Sequence, residues 1–190
     1  MGVTSHCFLS PVGVYLRHRY RLFSIIEADS LTKQFDNLLA VDRLTFNVNE
    51  GEILALLGPN GAGKTTTVRM LSSILKPTTG YARVAGYDVV KNAREVRHII
   101  GHLTEFPGLY LRMRPLEYLD FFGELQGMSH AASRMRAEEL MQHFDIWDAR
   151  DRRLGEYSKG MRQKMALIRA MLHNPRNRDR SGRKRERHRI

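Results

Sequence analysis

This 190-residue chain has a single cysteine, Cys7. It can form no internal disulfide, and a cysteine-rich zinc site is excluded with it; a reducing compartment is compatible with that scarcity. Long apolar stretches are missing too. The longest run without a charge, Met1 to Leu16, is interrupted by Pro11 and Gly13 and is too short to span a bilayer. It has neither a basic start nor a clean apolar block, so it does not read as a secretory signal. Met1-Gly2 invites N-myristoylation, but His6 stands where that motif needs Ser or Thr. A membrane is therefore expected to be reached only through a partner. Acids are also short, 20 Asp and Glu against 31 Lys and Arg, for a net charge of +11. The deficit sits at the ends. Residues 1–25 hold Arg17, Arg19 and Arg21 with no acid, and residues 176–190 hold eight basic residues against Asp179 and Glu186. The stretch between them is close to neutral, so the high pI describes the termini and no specific nucleic-acid partner is expected.

What is present is a globular composition, 42% hydrophobic and 27% charged, of a length suited to one domain with appendages. Three segments follow: an ill-defined start (1–25), a patterned body (26–175) and an arginine-rich end (176–190). Leu44, Phe46 and Val48 alternate with Thr45 and Asn47, the period of a half-buried strand. Ile53-Leu54-Ala55-Leu56-Leu57 is a continuous apolar run that suits a strand covered on both faces. A helix follows the glycines after it, with Val68, Leu71 and Leu75 on one stripe. Short strands are expected at Tyr81–Ala85 and Ile99–Leu103. Helices are expected from Pro115 (Leu116, Leu119, Phe122 inward), after Ser129 as N-cap (Ala137, Leu140, Met141, Phe144), and from about Gly160 to Leu172 (Met161, Met165, Ile168, Leu172).

Between the apolar run and its helix stands Gly58-Pro59-Asn60-Gly61-Ala62-Gly63-Lys64-Thr65, which fits G-x-x-x-x-G-K-[ST] at every fixed position. Glycines let successive backbone N–H groups converge on phosphate oxygens where side chains would obstruct them. The helix that follows turns its positive end to the same anion. Lys64 is expected on the β- and γ-phosphates, the Thr65 hydroxyl on Mg²⁺ and Thr66 on the α-phosphate side. The alternative, a glycine-rich turn with a chance lysine, is disfavoured by the strand before it and the helix after it.

The second informative segment runs from Leu154 to Lys164. By itself it is a Ser-x-Gly turn opening an amphipathic helix, either an anion-receptive start or an ordinary cap. Together with the glycine loop it resembles the signature of ATP-binding cassette (ABC) proteins, usually Leu-Ser-Gly-Gly-Gln. Ser158 and Gly160 match; Tyr157, Lys159 and Met161 depart. The Tyr-Ser-Lys-Gly-Met form is similar to that in ATPase subunits of bacterial ABC-2-type exporters. The resemblance covers 26–175 and implies an α/β fold: a P-loop NTPase core sheet with antiparallel β elements and a helical signature subdomain at about 106–160. It also implies that Phe35 stacks on adenine, with a plain core Phe as the alternative. Glu105 falls where the family's Q-loop has Gln, near Mg²⁺, with a surface Glu as the alternative. The resemblance further implies ATP and Mg²⁺ as ligands and a second ABC ATPase subunit, identical or not, whose ATP meets residues 157–161. A separate transmembrane permease at the cytoplasmic face of the membrane is implied as well.

One element of that pattern is not met. After His173-Asn174-Pro175-Arg176 the family has an apolar strand ending in Asp-Glu, the Walker B element; here an arginine-rich stretch follows. Asp179, Glu186 and His188 have no hydrophobic strand to position them. The tail reads either as a polybasic arm or, more readily, as the product of a frameshift or truncation. On this reading the cassette is incomplete at its C-terminus and hydrolysis slow, because general-base assistance is worth roughly 10²- to 10⁴-fold. It also leaves Ile53–Leu57 uncovered at one edge, and leaves the stripe Met161–Met165–Ile168–Leu172 exposed. Two rivals stand beside the exporter subunit: a non-transport ABC ATPase acting on nucleic acid or the ribosome, and a non-catalytic nucleotide-binding fragment.

Overall fold

The computed structural model describes residues 24–104 and 108–173, with the backbone of 13–14. These divide into two compact units, parted between Arg97 and His98. Residues 1–12, Glu105 and the tail from Asn174 onward, with Asp179, Glu186 and His188, lie outside the described residues.

The first unit is built on an antiparallel sheet. β2 (Ser24–Phe35) and β3 (Leu38–Asn49) form a hairpin whose turn residue Asp36 takes the left-handed region at φ 43, a conformation Asp tolerates better than most. β5 (Thr79–Val84) adds to the other side of β2, and β6 (Tyr87–Asp88) adds to β5, giving the order β3-β2-β5-β6. Leu44, Phe46 and Val48 are all buried, as their alternation requires. In register, Ala28 sits opposite Phe46 on one side and Ala82 on the other. The small pair makes room for the large ring, and all three are buried. α1 (Lys64–Leu71) packs on β3 and β5.

Three expectations for the chain up to residue 104 are corrected. The run Ile53–Leu57 is not a strand covered on both faces. Only β4 (Leu56–Leu57) is extended and paired, antiparallel to β1 (Gly13–Val14), while Ile53 is 96% exposed. Two-sided burial needs a covering layer on each face, and α1 is engaged with β3 and β5 instead. The stripe Val68, Leu71, Leu75 is not the inward face of α1: Thr67 and Met70 are buried, and Leu75 lies past the helix end. Ser72 stops it, its hydroxyl donating back to the Val68 carbonyl at 2.8 Å; Ser73 then turns left-handed at φ 56. Finally, Ile99 closes a helix, α2 (Ala93–Ile99, Val96 fully buried), and residues 100–104 are irregular. Short apolar runs do not by themselves distinguish strand from helix.

The second unit is helical. α3 (Pro115–Leu125) starts on its proline, with Glu117 accepting the Arg114 N–H at 2.9 Å. α4 (His130–His143) is capped by Ser129, whose hydroxyl accepts the Ala132 N–H at 3.3 Å. α5 (Lys159–Met171) is capped by Ser158. Their inward faces meet in one core of Tyr118, Leu119, Leu140, Met141 and Ile168, joined by Leu154 from the turn before α5. The stripe expected to be exposed is thus buried: Met165, Ile168 and Leu172 are at most 1% exposed and Met161 packs beside them. α3 and α4 supply its cover, and each such side chain contributes roughly 1.5–3 kcal/mol. Asp120 of α3 is held by Arg134 (2.6 Å) and His130 (3.2 Å) of α4.

Candidate functional site

The glycine loop lies in the first unit, between β4 and α1. Gly58, Pro59, Asn60 and Gly61 are exposed, whereas Ala62 is buried and donates its N–H to the Pro59 carbonyl at 3.2 Å. Gly63 is the N-cap of α1 at φ 82, and a Cβ there would overlap the Ala40 carbonyl and the Val41 side chain of β3. Only glycine satisfies both demands at once. The loop is thereby seated against the edge of the hairpin.

Gly63 offers no side chain to the helix start, and the first turn of α1 has no acid. The leading N–H groups and the positive end of the helix dipole are left for an external anion. Lys64 bends back over the loop, its Nζ donating to the carbonyls of Gly58 (2.6 Å) and Pro59 (2.7 Å). Thr65 is exposed and Thr66 half-buried. Thr67, to which the loop motif assigns no role, is buried, and its hydroxyl donates to the Gly63 carbonyl at 3.0 Å, tying the end of the loop to the helix. The only signal for it was a third threonine in a run, four residues after the last glycine.

Phe35 ends β2, opposite Leu38 and two residues along the hairpin from the Ala40 that meets Gly63. Its ring is 42% exposed, with the Lys33 Nζ 4.9 Å from the centroid, so it is not a core phenylalanine. The donor chemistry fits a polyphosphate: one flexible ammonium, unopposed helix N–H groups and a threonine hydroxyl. Among the described residues no three His, Cys, Asp or Glu side chains converge on a metal position. Mg²⁺ ordinarily keeps most of its oxygens from phosphate and water, and the exposed Thr65 hydroxyl is an oxygen donor of the kind it accepts.

The signature segment belongs to the helical unit. Residues 154–156 make a 3-10 turn, and Tyr157 then plunges inward, 2% exposed, its hydroxyl donating to the Ala149 carbonyl at 2.9 Å. Burial pushes this phenol up to about 12, against an opposing pull from Arg152. Tyr157 therefore anchors the segment, and its side chain faces the core. The anchor leaves Ser158, Lys159 and Gly160 exposed at the start of α5, where the Ser158 hydroxyl accepts the Met161 N–H at 3.2 Å. The Arg162 guanidinium donates to the Gly155 carbonyl at 2.8 Å and braces the turn from behind. The first turn of α5 also lacks an acid. No helix among the described residues is long and apolar enough to cross a membrane.

Comparison with known proteins places this geometry. The chain is 44% identical over 137 residues to the ABC transporter ATP-binding protein NatA of Bacillus subtilis (strain 168), covering 72% of this chain and 56% of NatA. It is 41% identical over 150 residues to the daunorubicin/doxorubicin resistance ATP-binding protein DrrA of Streptomyces peucetius, covering 79% of this chain and 46% of that one. It thus spans about half the length of the relatives it matches. A solved ATP-binding subunit of an ABC transporter superposes with a TM-score of 0.64 at 28% identity, over 79% of this chain and 62% of that one. A nucleotide-free ATP-binding cassette does so with a TM-score of 0.64 at 22% identity, over 80% and 66%, a likeness of fold alone. The family model described as ABC transporter matches residues 41–177, a span that includes most of β3, the glycine loop and all of α5, and the chain belongs to that family.

Proposed function

We propose that this chain is the nucleotide-binding part of an ABC-2-type exporter, holding ATP with Mg²⁺ and serving a separate membrane permease from the cytoplasmic face of the membrane. The observation that carries the reading is the glycine loop set on an uncapped helix start, with Lys64 poised over it. Lys64 would bridge the β- and γ-phosphates, Thr65 would face Mg²⁺, Thr66 would serve the α-phosphate side and exposed Phe35 would take the adenine. Bound Mg²⁺ would supply charge neutralisation between the phosphates. Glu105 belongs to the same proposal as a second Mg²⁺-facing group. Exposed Ser158, Lys159 and Gly160 would face the ATP of a second cassette subunit, so that nucleotide completes a dimer, identical or mixed. The ATP-binding names of NatA and DrrA support this reading, and the resistance named for DrrA favours export.

Titration with labelled ATP tests it. Lys64→Ala removes a charged partner of the phosphates, and affinity should fall by about 2–4 kcal/mol, roughly 30- to 700-fold. Unchanged affinity would refute the loop assignment. Co-purification with a membrane subunit is the expected result for the exporter; RNase-sensitive association with ribosomes would overturn it.

A further inference from the structure

Within its strands the hairpin holds two residues in a backbone conformation that few side chains other than glycine's accept: Ser30 of β2 at φ 50 and Arg43 of β3 at φ 42. Each is the extra residue of a β-bulge. Between the pairs Ala28–Phe46 and Leu31–Leu44, β2 has two residues where β3 has one, Thr45. Between Leu31–Leu44 and Lys33–Val41, β3 has two where β2 has one, Thr32. In both bulges the opposing threonine takes the extra residue's N–H: Ser30 donates to the Thr45 hydroxyl at 2.8 Å and Arg43 to the Thr32 hydroxyl at 3.0 Å. The Thr32 hydroxyl in turn donates to the Ser30 carbonyl at 3.0 Å, so one oxygen ties the two bulges together. β5 can pass this point because its residue 80 is glycine, at φ 76; a Cβ there would overlap the Ser30 carbonyl.

A bulge bends its strand, increases the local twist and re-aims the side chains beyond it. Beyond these two lies the tip of the hairpin, which carries Phe35 on β2 and, on β3, the Ala40 carbonyl and Val41 side chain that close on Gly63. Backbone strain of this kind persists where the surroundings over-determine it, and it gathers at ligand sites. We propose that Thr32 and Thr45 are positioning residues for the base end of the nucleotide site: their hydroxyls hold the paired bulges, and the bulges set the angle at which the hairpin tip presents Phe35. Neither threonine is a contact for the ligand; both act through the backbone of residues 30 and 43. The inference rests on the ATP reading, with Phe35 on adenine, and adds what aims that ring.

Calorimetric titration of the full 190-residue chain with ATP and with inorganic tripolyphosphate, both with Mg²⁺, tests it. Thr32→Val keeps the branched shape and removes the hydroxyl. The hydrogen bonds lost are exposed, so water takes their place and stability changes little. ATP affinity should fall by about fivefold or more, the low end of what a lost base–aromatic stack costs. Tripolyphosphate affinity should be unchanged, and Thr32→Ser should restore ATP binding. Phe35→Ala should cost ATP at least as much, and adding Thr32→Val to it should cost nothing more. Unchanged ATP affinity in Thr32→Val, an equal loss in Thr32→Ser, or full additivity with Phe35→Ala would each overturn the proposal. If Thr32→Val loses tripolyphosphate as well, Thr45→Val decides: a loss confined to ATP supports the proposal, and any other result refutes it. A wild-type chain that binds neither ligand sinks the nucleotide reading and takes this inference with it. One that binds both, with ATP indifferent to Thr32→Val, sinks this inference alone.

Discussion

Replacing Tyr157 by Phe removes one oxygen from the residue that sets the signature segment on its core. The phenol donates to the Ala149 carbonyl at 2.9 Å in a fully buried setting. The same carbonyl also accepts the Arg152 N–H at 3.1 Å, so it keeps a partner when the phenol is gone. The cost is therefore that of one net hydrogen bond, about 0.5–1.5 kcal/mol, without the added penalty of an orphaned acceptor. In a chain of this size about 1 kcal/mol lowers the midpoint by roughly 2–4 °C. Trp147, the one tryptophan, lies in the turn two residues before Ala149, so its fluorescence follows this unit. The pH dependence is more telling. Burial raises the Tyr157 pKa from the ordinary 10 to about 12, so folding favours the protonated phenol. That stabilisation is complete below the unfolded value and is lost as pH climbs through the folded one. Phe has no such loss. The advantage of the wild type should hold at about pH 8 and close between about 10 and 12, measured by guanidinium unfolding of both proteins. Equal midpoints at neutral pH would defeat the hydrogen-bond argument, and a gap that stays constant up to pH 12 would defeat the burial argument.

Three further outcomes are expected. Gly63→Ala asks an alanine to hold φ 82 while its methyl meets the Ala40 carbonyl; a loss of about 2 kcal/mol or more should appear in a thermal melt, together with weakened ATP binding. Asp120→Ala breaks a pair whose arginine is 40% exposed and can turn to water. The loss should be about 1–2 kcal/mol, below the 3–5 of a fully buried pair, and a double-mutant cycle with Arg134→Ala measures it. Ser158→Ala deletes the cap of α5, worth about 1 kcal/mol. On the proposed function it should spare ATP binding by the single chain and impair ATP-dependent dimerisation; equal losses in both assays would make Ser158 a cap only.

Much of this protein was legible in its sequence because the signals were local. The spacing Gly58–Gly63–Lys64–Thr65 carries its own reason, since few residue types allow backbone to close around an anion. Strict alternation fixes which face of β3 is buried, and Ser129 and Ser158 cap the two helices they precede because a cap needs only its own next turn. The residues that brace the sites were less legible. Thr67 and Tyr157 act through carbonyls at Gly63 and Ala149, and nothing in a hydroxyl names its acceptor.

Where burial depends on a neighbour far along the chain, composition alone misled. Ile53–Leu57 and the stripe of α5 both read as apolar surface seeking cover. Tertiary structure covers Met165, Ile168 and Leu172 with α3 and α4 and leaves Ile53 exposed. Val68 reads as inward by period, but Thr67 and Met70 face β3 and β5 because the sheet fixes the side from which α1 is approached. Phe35 is as apolar as Phe46; the end of a hairpin exposes one and the middle of a sheet buries the other. Sequence by itself determined the loop motif, the caps and the strand period, which are patterns among residues close together in the chain. The tertiary structure decided which apolar faces are covered, because burial belongs to a pair of surfaces and each segment encodes only its own.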